Sequence, residues 1–434
     1  MKVLRVEKIF IVMLMVIFGG IVLHAPLSVG LGVLFPSFDL VIKSWKEILM
    51  IALVPLGISI VVRRQLWREL VDDWIFRIIA VYAALHLMLI GFSYKSGVVA
   101  AAGLAIDLRY LLFFTLVYVA MRALPQYRRR MLQVATIGAF IVVGFATLQL
   151  FLPADILTHI GYSKDTIDPY LTVDKNPNYV RVNSTLRGPN PLGAYASMTL
   201  GLLTAALVRA KLRLSNKKVF VGAGVLAVCG MIALWISYSR SALGAGILTV
   251  FIVIMIAAMR KLSRRVWIVS VIVLFAVAGA LVAVKGSTFV SNVLLHENPA
   301  DGSAVTSNDD HITSIQAGFI NLIHQPLGTG VGSTGSASLL SNQPVVIENQ
   351  YLFIAHETGW LGLALFAVLY ILILSWLWRG RNDWLRLGVF ASGIGLGVIG
   401  LLLPVWADDT VSIIWWGLAA IALAGGRHVR KQTK

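Results

Sequence analysis

Twelve apolar runs constrain this chain more than any other feature. They lie at about 9–33, 40–62, 75–92, 97–121, 131–152, 189–208, 218–238, 242–259, 266–285, 350–378, 387–405 and 411–426. A helix needs about 20 apolar residues to cross a bilayer, and most of these runs reach that length. The expected architecture is an all-α membrane protein, a bundle of about 12 transmembrane helices forming one polytopic domain over residues 1–434. With 58% hydrophobic and only 13% charged residues, the chain has too little polar side chain to cover a soluble domain. The N-terminus, "MKVLRVEKIFIVMLMVIFGG", is similar to a signal peptide. No small-x-small cleavage site follows it, so it reads as an uncleaved first helix.

The formal net charge of +17 has a topological reading before any other. Seven basic clusters begin near Lys2, Arg63, Arg122, Arg209, Arg260, Arg379 and Arg427 and hold 26 of the 37 Lys and Arg residues. If every run crosses, all seven fall on one side, and positive charge marks the cytoplasmic side. Both termini are then cytoplasmic, and nucleic acid is not the expected partner. The other side carries two long loops, 153–188 and 286–349. The second has no Lys or Arg but holds Glu297, Asp301, Asp309, Asp310 and Glu348. Within it, "SNDD" caps a short helix whose Ile312, Ile315, Phe319, Leu322 and Ile323 recur at helical spacing, and which ends at Pro326 and the glycines after it. This helix either lies on the outer membrane surface or packs on the top of the bundle. The single cysteine, Cys229, excludes an intrachain disulfide. No P-loop, dinucleotide fingerprint, HExxH or CxxC is present.

Three polar clusters stand at the outer ends of runs: Arg181, Asn183, Ser184, Arg187 and Asn190; Arg240 within "SYSRSA"; and Glu348, Asn349, Tyr351, His356 and Glu357. The arginines run against the positive-inside bias. Each alone either snorkels to lipid headgroups or offers its planar fork to phosphate oxygens; the three together favour a binding site. Glu348, where the acidic loop meets a run, either caps a helix or serves as a base with a raised pKa. If a helix starts there, Glu348, Leu352 and Gly359 share a face and His356 lies two turns along it, where a packing role is the commoner one. Asp107 and Arg109 inside the fourth run are costly in lipid and are expected to pair.

In these clusters the chain resembles the O-antigen ligases and O-antigen polymerases. That family's pattern is an Arg before a Pro-Asn turn, a Ser-Arg between spans, a P-x-G-x-G-x-G loop and a helix opening His/Glu-Asn-x-Tyr. Here these stand in order as "RVNSTLRGPNPLGAY", "SYSRSA", "QPLGTGVGSTG" and "ENQYLFIAHETGWLG". The resemblance covers residues 175 to 370 by motif and implies a glycosyltransferase-C-like helical bundle with no cofactor and no metal. It implies transfer of a glycan from an undecaprenyl-diphosphate carrier, at the outer side of the cytoplasmic membrane, to a glycan or lipid-glycan acceptor, with membrane lipids as further partners. On it, Arg181, Arg240 and Glu348 are the expected catalytic residues. Arg187, Asn190, His311, Asn349, Tyr351 and His356 are the expected substrate-binding residues. Two departures stand out. Ligases usually carry histidine where this chain has Glu348, and many members carry arginine fifteen residues before the loop proline, where this chain has His311. A polysaccharide or lipid transporter is the competing reading; its repeated halves are not found here, and the polar groups gather at one face.

Overall fold

A computed structural model of the chain describes residues 2–92, 96–209, 216–258, 307–341 and 344–425. In chain order the helices are α1 (Lys2–Gly20), α2 (His24–Leu34), α3 (Asp39–Lys43), α4 (Trp45–Arg63), α5 (Trp67–Asp72), α6 (Trp74–Phe92), α7 (Gly97–Ala123) and α8 (Arg128–Leu148). A hairpin of β1 (Tyr170–Val173) and β2 (Asn176–Val182) follows. Then come α9 (Pro189–Arg209), α10 (Lys217–Ile236), α11 (Arg240–Ala258), α12 (Ser307–His324), α13 (Gly335–Ser338), α14 (Gln350–Arg379), α15 (Trp384–Ile399) and α16 (Asp409–Gly425). Short 3-10 turns link α1 to α2 and extend α8.

The protein is an all-α polytopic membrane protein. Among the described residues nine helical segments are long and apolar enough to cross a bilayer, with α1 and α2 joined as one. Two more apolar helices, α15 and α16, have 16 and 17 residues. The run expected at 266–285 lies outside the described residues. α16 is the centre of the bundle: every residue from Asp409 to Ala424 is buried. Its Trp415 and Trp416 meet Trp406, Tyr370 of α14 and Tyr110 and Phe114 of α7. That aromatic block ties the N-terminal and C-terminal halves into one core. Helix α9 packs against α10, α11 and α15.

The basic clusters collect where α4, α8, α10 and α15 begin or end; the opposite end of the bundle carries the hairpin. The sequence reading leaves 153–188 as a loop, but the structure builds an antiparallel ladder in it, pairing Leu171 with Arg181. Asp174 (φ 47°) and Lys175 (φ 60°) form its tight turn, both left-handed, as a two-residue hairpin of matching twist requires. Strand β2 continues into Ser184, which is also left-handed (φ 54°). It is held there because Gln149 Oε1 accepts its amide at 2.8 Å and its own hydroxyl donates to Val142 O at 2.6 Å. Asn183 donates to Asp168 O at 2.6 Å. The "NST" of the sequence is thus the clamp that sets the arm leading into α9.

Helix α12 forms where the periodicity predicts it and packs on the bundle. Gly318, Ile315 and Leu322 face the bundle, where Ile347, Leu352 and Phe353 receive them. Phe319, Ile320 and Ile323 stay exposed, as do Trp360 and Leu361. Trp360 Nε1 fastens the helix by donating to Leu322 O at 2.6 Å.

Candidate functional site at the hairpin end

Two arginines remote in sequence are brought together by the hairpin. Arg181 Nε donates to Ser237 O at 3.0 Å and its Nη2 to Asn190 Oδ1 at 2.7 Å. Tyr179, two residues earlier on β2, sets its ring edge-on to Tyr238 with centroids 6.2 Å apart. Tyr238 is left-handed (φ 46°), and this turns the chain from α10 into α11 and leaves Arg240 at the first position of α11. The result is a pair of guanidinium groups near the start of α11, with Asp174 of the hairpin turn in their field. Burial first, and the charge of Arg240 second, lower the Arg181 pKa to about 10 against the opposing pull of Asp174; the group stays charged at neutral pH. Burial raises the Asp174 carboxyl above the usual range, and both arginines oppose that. Two guanidinium groups in each other's field are a cationic feature suited to an anion with oxygens for the planar forks.

Beside this pair lies a cavity of about 280 Å³. Arg187, Asn190, Ser336 and Asp408 supply its polar wall, and the 399–407 loop supplies much of the rest. Arg187 and Asn190 were expected in the site. Ser336 and Asp408 were not, and the one signal for Asp408 is the "ADD" triplet interrupting two apolar runs. The Asp408 carboxyl accepts the Val411 amide at 2.9 Å and so caps α16. Burial and the adjacent Asp409 push it above the usual carboxylate range; the Val411 amide, Arg187 and Arg109 pull the other way.

Glu348 sits half-buried one residue before the N-cap of α14. Asn349 is that cap: its Oδ1 accepts the amides of Tyr351 and Leu352, and its Nδ2 donates to Leu401 O at 2.8 Å. Gln350 adds two bonds to the same loop, from its amide to Gly400 O at 2.8 Å and from the Trp406 amide to its Oε1 at 2.7 Å. The segment carrying Glu348 is therefore stitched to the loop that walls the cavity. Tyr351 donates its hydroxyl to Gly397 O at 2.8 Å and is committed to helix packing. The backbone of His311 lies in α12; its side chain lies outside what is described.

The glycine-rich motif has a structural job. Helix α14 breaks at Gly359, whose φ of 67° and ψ of −167° are open essentially to glycine alone. The Trp360 amide leaves the helical ladder and donates to Pro326 O at 2.9 Å. In exchange, His356 O accepts the Thr329 amide at 2.7 Å and Glu357 O accepts the Gly330 amide at 3.1 Å. The buried Glu357 carboxylate takes the amides of Gly332 and Thr334, each at 3.1 Å. Loop 325–335 is thus plugged into a broken helix, and it delivers Ser336 to the cavity. Glu357 was noticed in the sequence without a role; the hydrogen bonds give it this one.

Asp107 and Arg109 are paired as expected, through their surroundings. Asp107 lies 3.5 Å from His86. Arg109 bridges to Asp409 and to Glu47 at 3.5 Å, and donates to Ala407 O at 2.6 Å. A larger cavity, about 400 Å³ and almost wholly apolar, opens between α8, α9 and α10 near Lys218. It lies towards the basic end of the bundle and holds none of the expected site residues. Among the described residues no group of three or more His, Cys, Asp or Glu is placed to hold a metal ion.

No curated protein matches the chain. Residues 225–367 match the family model described as O-antigen ligase. That stretch carries Arg240, the loop of 325–335 and the broken helix with Glu348; the arm of Arg181, Arg187 and Asn190 lies ahead of it. Over that stretch, in an integral membrane protein of apolar helices, the chain is similar to the O-antigen ligase family.

Proposed function

We propose that the protein transfers a glycan from an undecaprenyl-diphosphate carrier to a sugar hydroxyl, at the outer side of the cytoplasmic membrane. The family match over residues 225–367 supports membrane glycosyltransferase activity of the ligase or polymerase type on lipid-linked glycans. The observation that carries the finer reading is the Arg181–Arg240 pair, held beside a polar cavity at the end of the bundle away from the basic clusters. Diphosphate is the leaving group of such a transfer. Charge grows on its bridging oxygen as the glycosidic bond breaks, and preorganised guanidinium groups stabilise that charge without reorganising. In this reading Arg181 and Arg240 hold the diphosphate, an apolar groove between spans takes the polyprenyl tail, and Glu348 accepts the proton of the attacking hydroxyl. The side assignment rests on the positive-inside rule; both termini are then cytoplasmic.

The test is to remove the protein from its cells and examine the lipid-linked glycans. Accumulated single repeat units identify a polymerase, and long unattached chains a ligase. An unchanged pool of lipid-linked glycan refutes the transferase reading and leaves the transporter reading to be tried by flux.

A further inference from the structure

We propose that the cavity between Arg187 and Asp408 binds one sugar ring of the acceptor, next to but distinct from the diphosphate site. The proposal rests on the transferase reading and adds to it the place and chemistry of the second substrate.

The polar wall is mixed in sign. Arg187 forms no salt bridge among the described residues, yet its charge is felt by Asp408. A second diphosphate would be repelled by Asp408, and a cation by Arg187. A polyhydroxylated neutral ring suits both, because each hydroxyl donates and accepts. Asp408 uses Oδ1 on the Val411 amide, which leaves Oδ2 to accept from a ligand hydroxyl.

Asn190 settles the boundary between the two subsites. A guanidinium only donates, so the Asn190 oxygen must face Arg181, as it does at 2.7 Å. The amide nitrogen then points the other way and is available to donate into the cavity that Asn190 lines. One side chain therefore reads the state of the diphosphate site on one side and a sugar hydroxyl on the other. Leu403 and Pro404 add apolar surface for the C–H face of a ring. At about 280 Å³ the space falls just below the roughly 300–1,000 Å³ of pockets for drug-sized ligands, which fits one ring and not a chain of them.

The test uses the purified full-length protein in lipid nanodiscs. Methyl glycosides of common hexoses and N-acetylhexosamines are titrated and followed by saturation-transfer NMR, and undecaprenyl diphosphate alone is titrated in parallel. Wild type is expected to bind at least one glycoside. Ser336→Trp, a change at an exposed rim position, should abolish that binding. Asp408→Asn keeps an oxygen for the Val411 cap and should weaken it about tenfold or more, as expected for loss of one charge-assisted hydrogen bond. Arg240→Ala, which leaves the Arg181–Asn190 contact in place, should leave glycoside binding intact and weaken undecaprenyl diphosphate binding; Ser336→Trp should do the reverse and also slow transfer. No glycoside binding by wild type, or binding untouched by Ser336→Trp, overturns the proposal. So does a Ser336→Trp protein that loses diphosphate binding together with sugar binding, since the cavity then belongs to the donor. Failure of the transferase reading looks different: glycosides bind in the expected pattern but no glycan moves from a lipid-diphosphate donor.

Discussion

Arg181 shows how much position adds to residue type. An arginine at the outer end of a span can snorkel to headgroups, but this one is half-buried, fixed by Ser237 O and Asn190, and set near a second guanidinium. If the pair binds diphosphate, lysine should not rescue either position fully, because it lacks the bidentate fork. A charge-assisted bond contributes roughly 1.5–3 kcal/mol. Arg181→Ala or Arg240→Ala should therefore cut in-vitro transfer about 10- to 100-fold at matched expression, with Arg187→Ala milder. Wild-type rates for both would reduce them to headgroup contacts. Glu348 and His356 divide in a similar way. His356 is buried in α14 and gives its carbonyl to Thr329, whereas Glu348 lies at the segment joined to the cavity loop. Glu348→Gln should abolish transfer and His356→Ala should reduce it less. The opposite order would mean that Glu348 is not the base.

Among the elements, α14 does the most positioning. Its break at Gly359 exchanges one helical bond for a docked loop, and that loop brings Ser336 to the cavity while Asn349 and Gln350 hold the 399–407 wall. A methyl group at Gly359 would sit 2.6 Å from the Leu327 carbonyl carbon, and the backbone conformation alone costs a non-glycine residue about 1–3 kcal/mol. Gly359→Ala should lower the detergent-solubilised unfolding temperature and expose loop 325–335 to protease. Gly332→Ala should act alike, since its Cβ would meet Val99 O at 2.5 Å. Wild-type protease resistance in both variants would show that the loop is held by other contacts. The hairpin is the opposite kind of element: two short strands are marginal alone. It is defined by its attachments, Tyr179 on Tyr238 and Arg181 on Ser237.

At the scale of the whole molecule the N-terminal and C-terminal spans are joined by buried charge as well as by aromatic packing. Asp409 meets His24 at 3.0 Å, Lys46 at 2.9 Å and Arg109, and Lys46 also meets Glu47 at 3.2 Å. Four elements, α2, α4, α7 and α16, thus converge on one carboxylate directly behind Asp408. Truncating it leaves the buried Lys46 and Arg109 to share Glu47 alone, and breaking a buried pair this way typically costs about 3–5 kcal/mol. Asp409→Ala should unfold or fail to insert stably, read as loss of monodisperse protein on size-exclusion chromatography. Asp39→Ala, which removes only the exposed pair with Lys43 at 2.7 Å, should change stability by less than about 1 kcal/mol. Equal behaviour of the two variants would mean that the cluster does not hold the spans together.

The sequence by itself determined that this is a helical membrane protein, because span length and apolar composition are properties of a run of consecutive residues. It also named the arginines, the helix ending before Pro326 and the need of Asp107 and Arg109 for partners, since cost in lipid belongs to the residue; that Asn349, expected to bind substrate, caps α14 instead came from the structure. Only the tertiary structure decided which groups share a site. Arg181 meets Ser237 across 56 positions, and Arg109 reaches Ala407 across 298. No local pattern encodes those distances. The hairpin escaped the sequence reading because its strands are too short to stand without the turn they lean on. Asp408 escaped because one carboxylate in a short loop is ordinary until α9 and the docked glycine loop close a cavity around it.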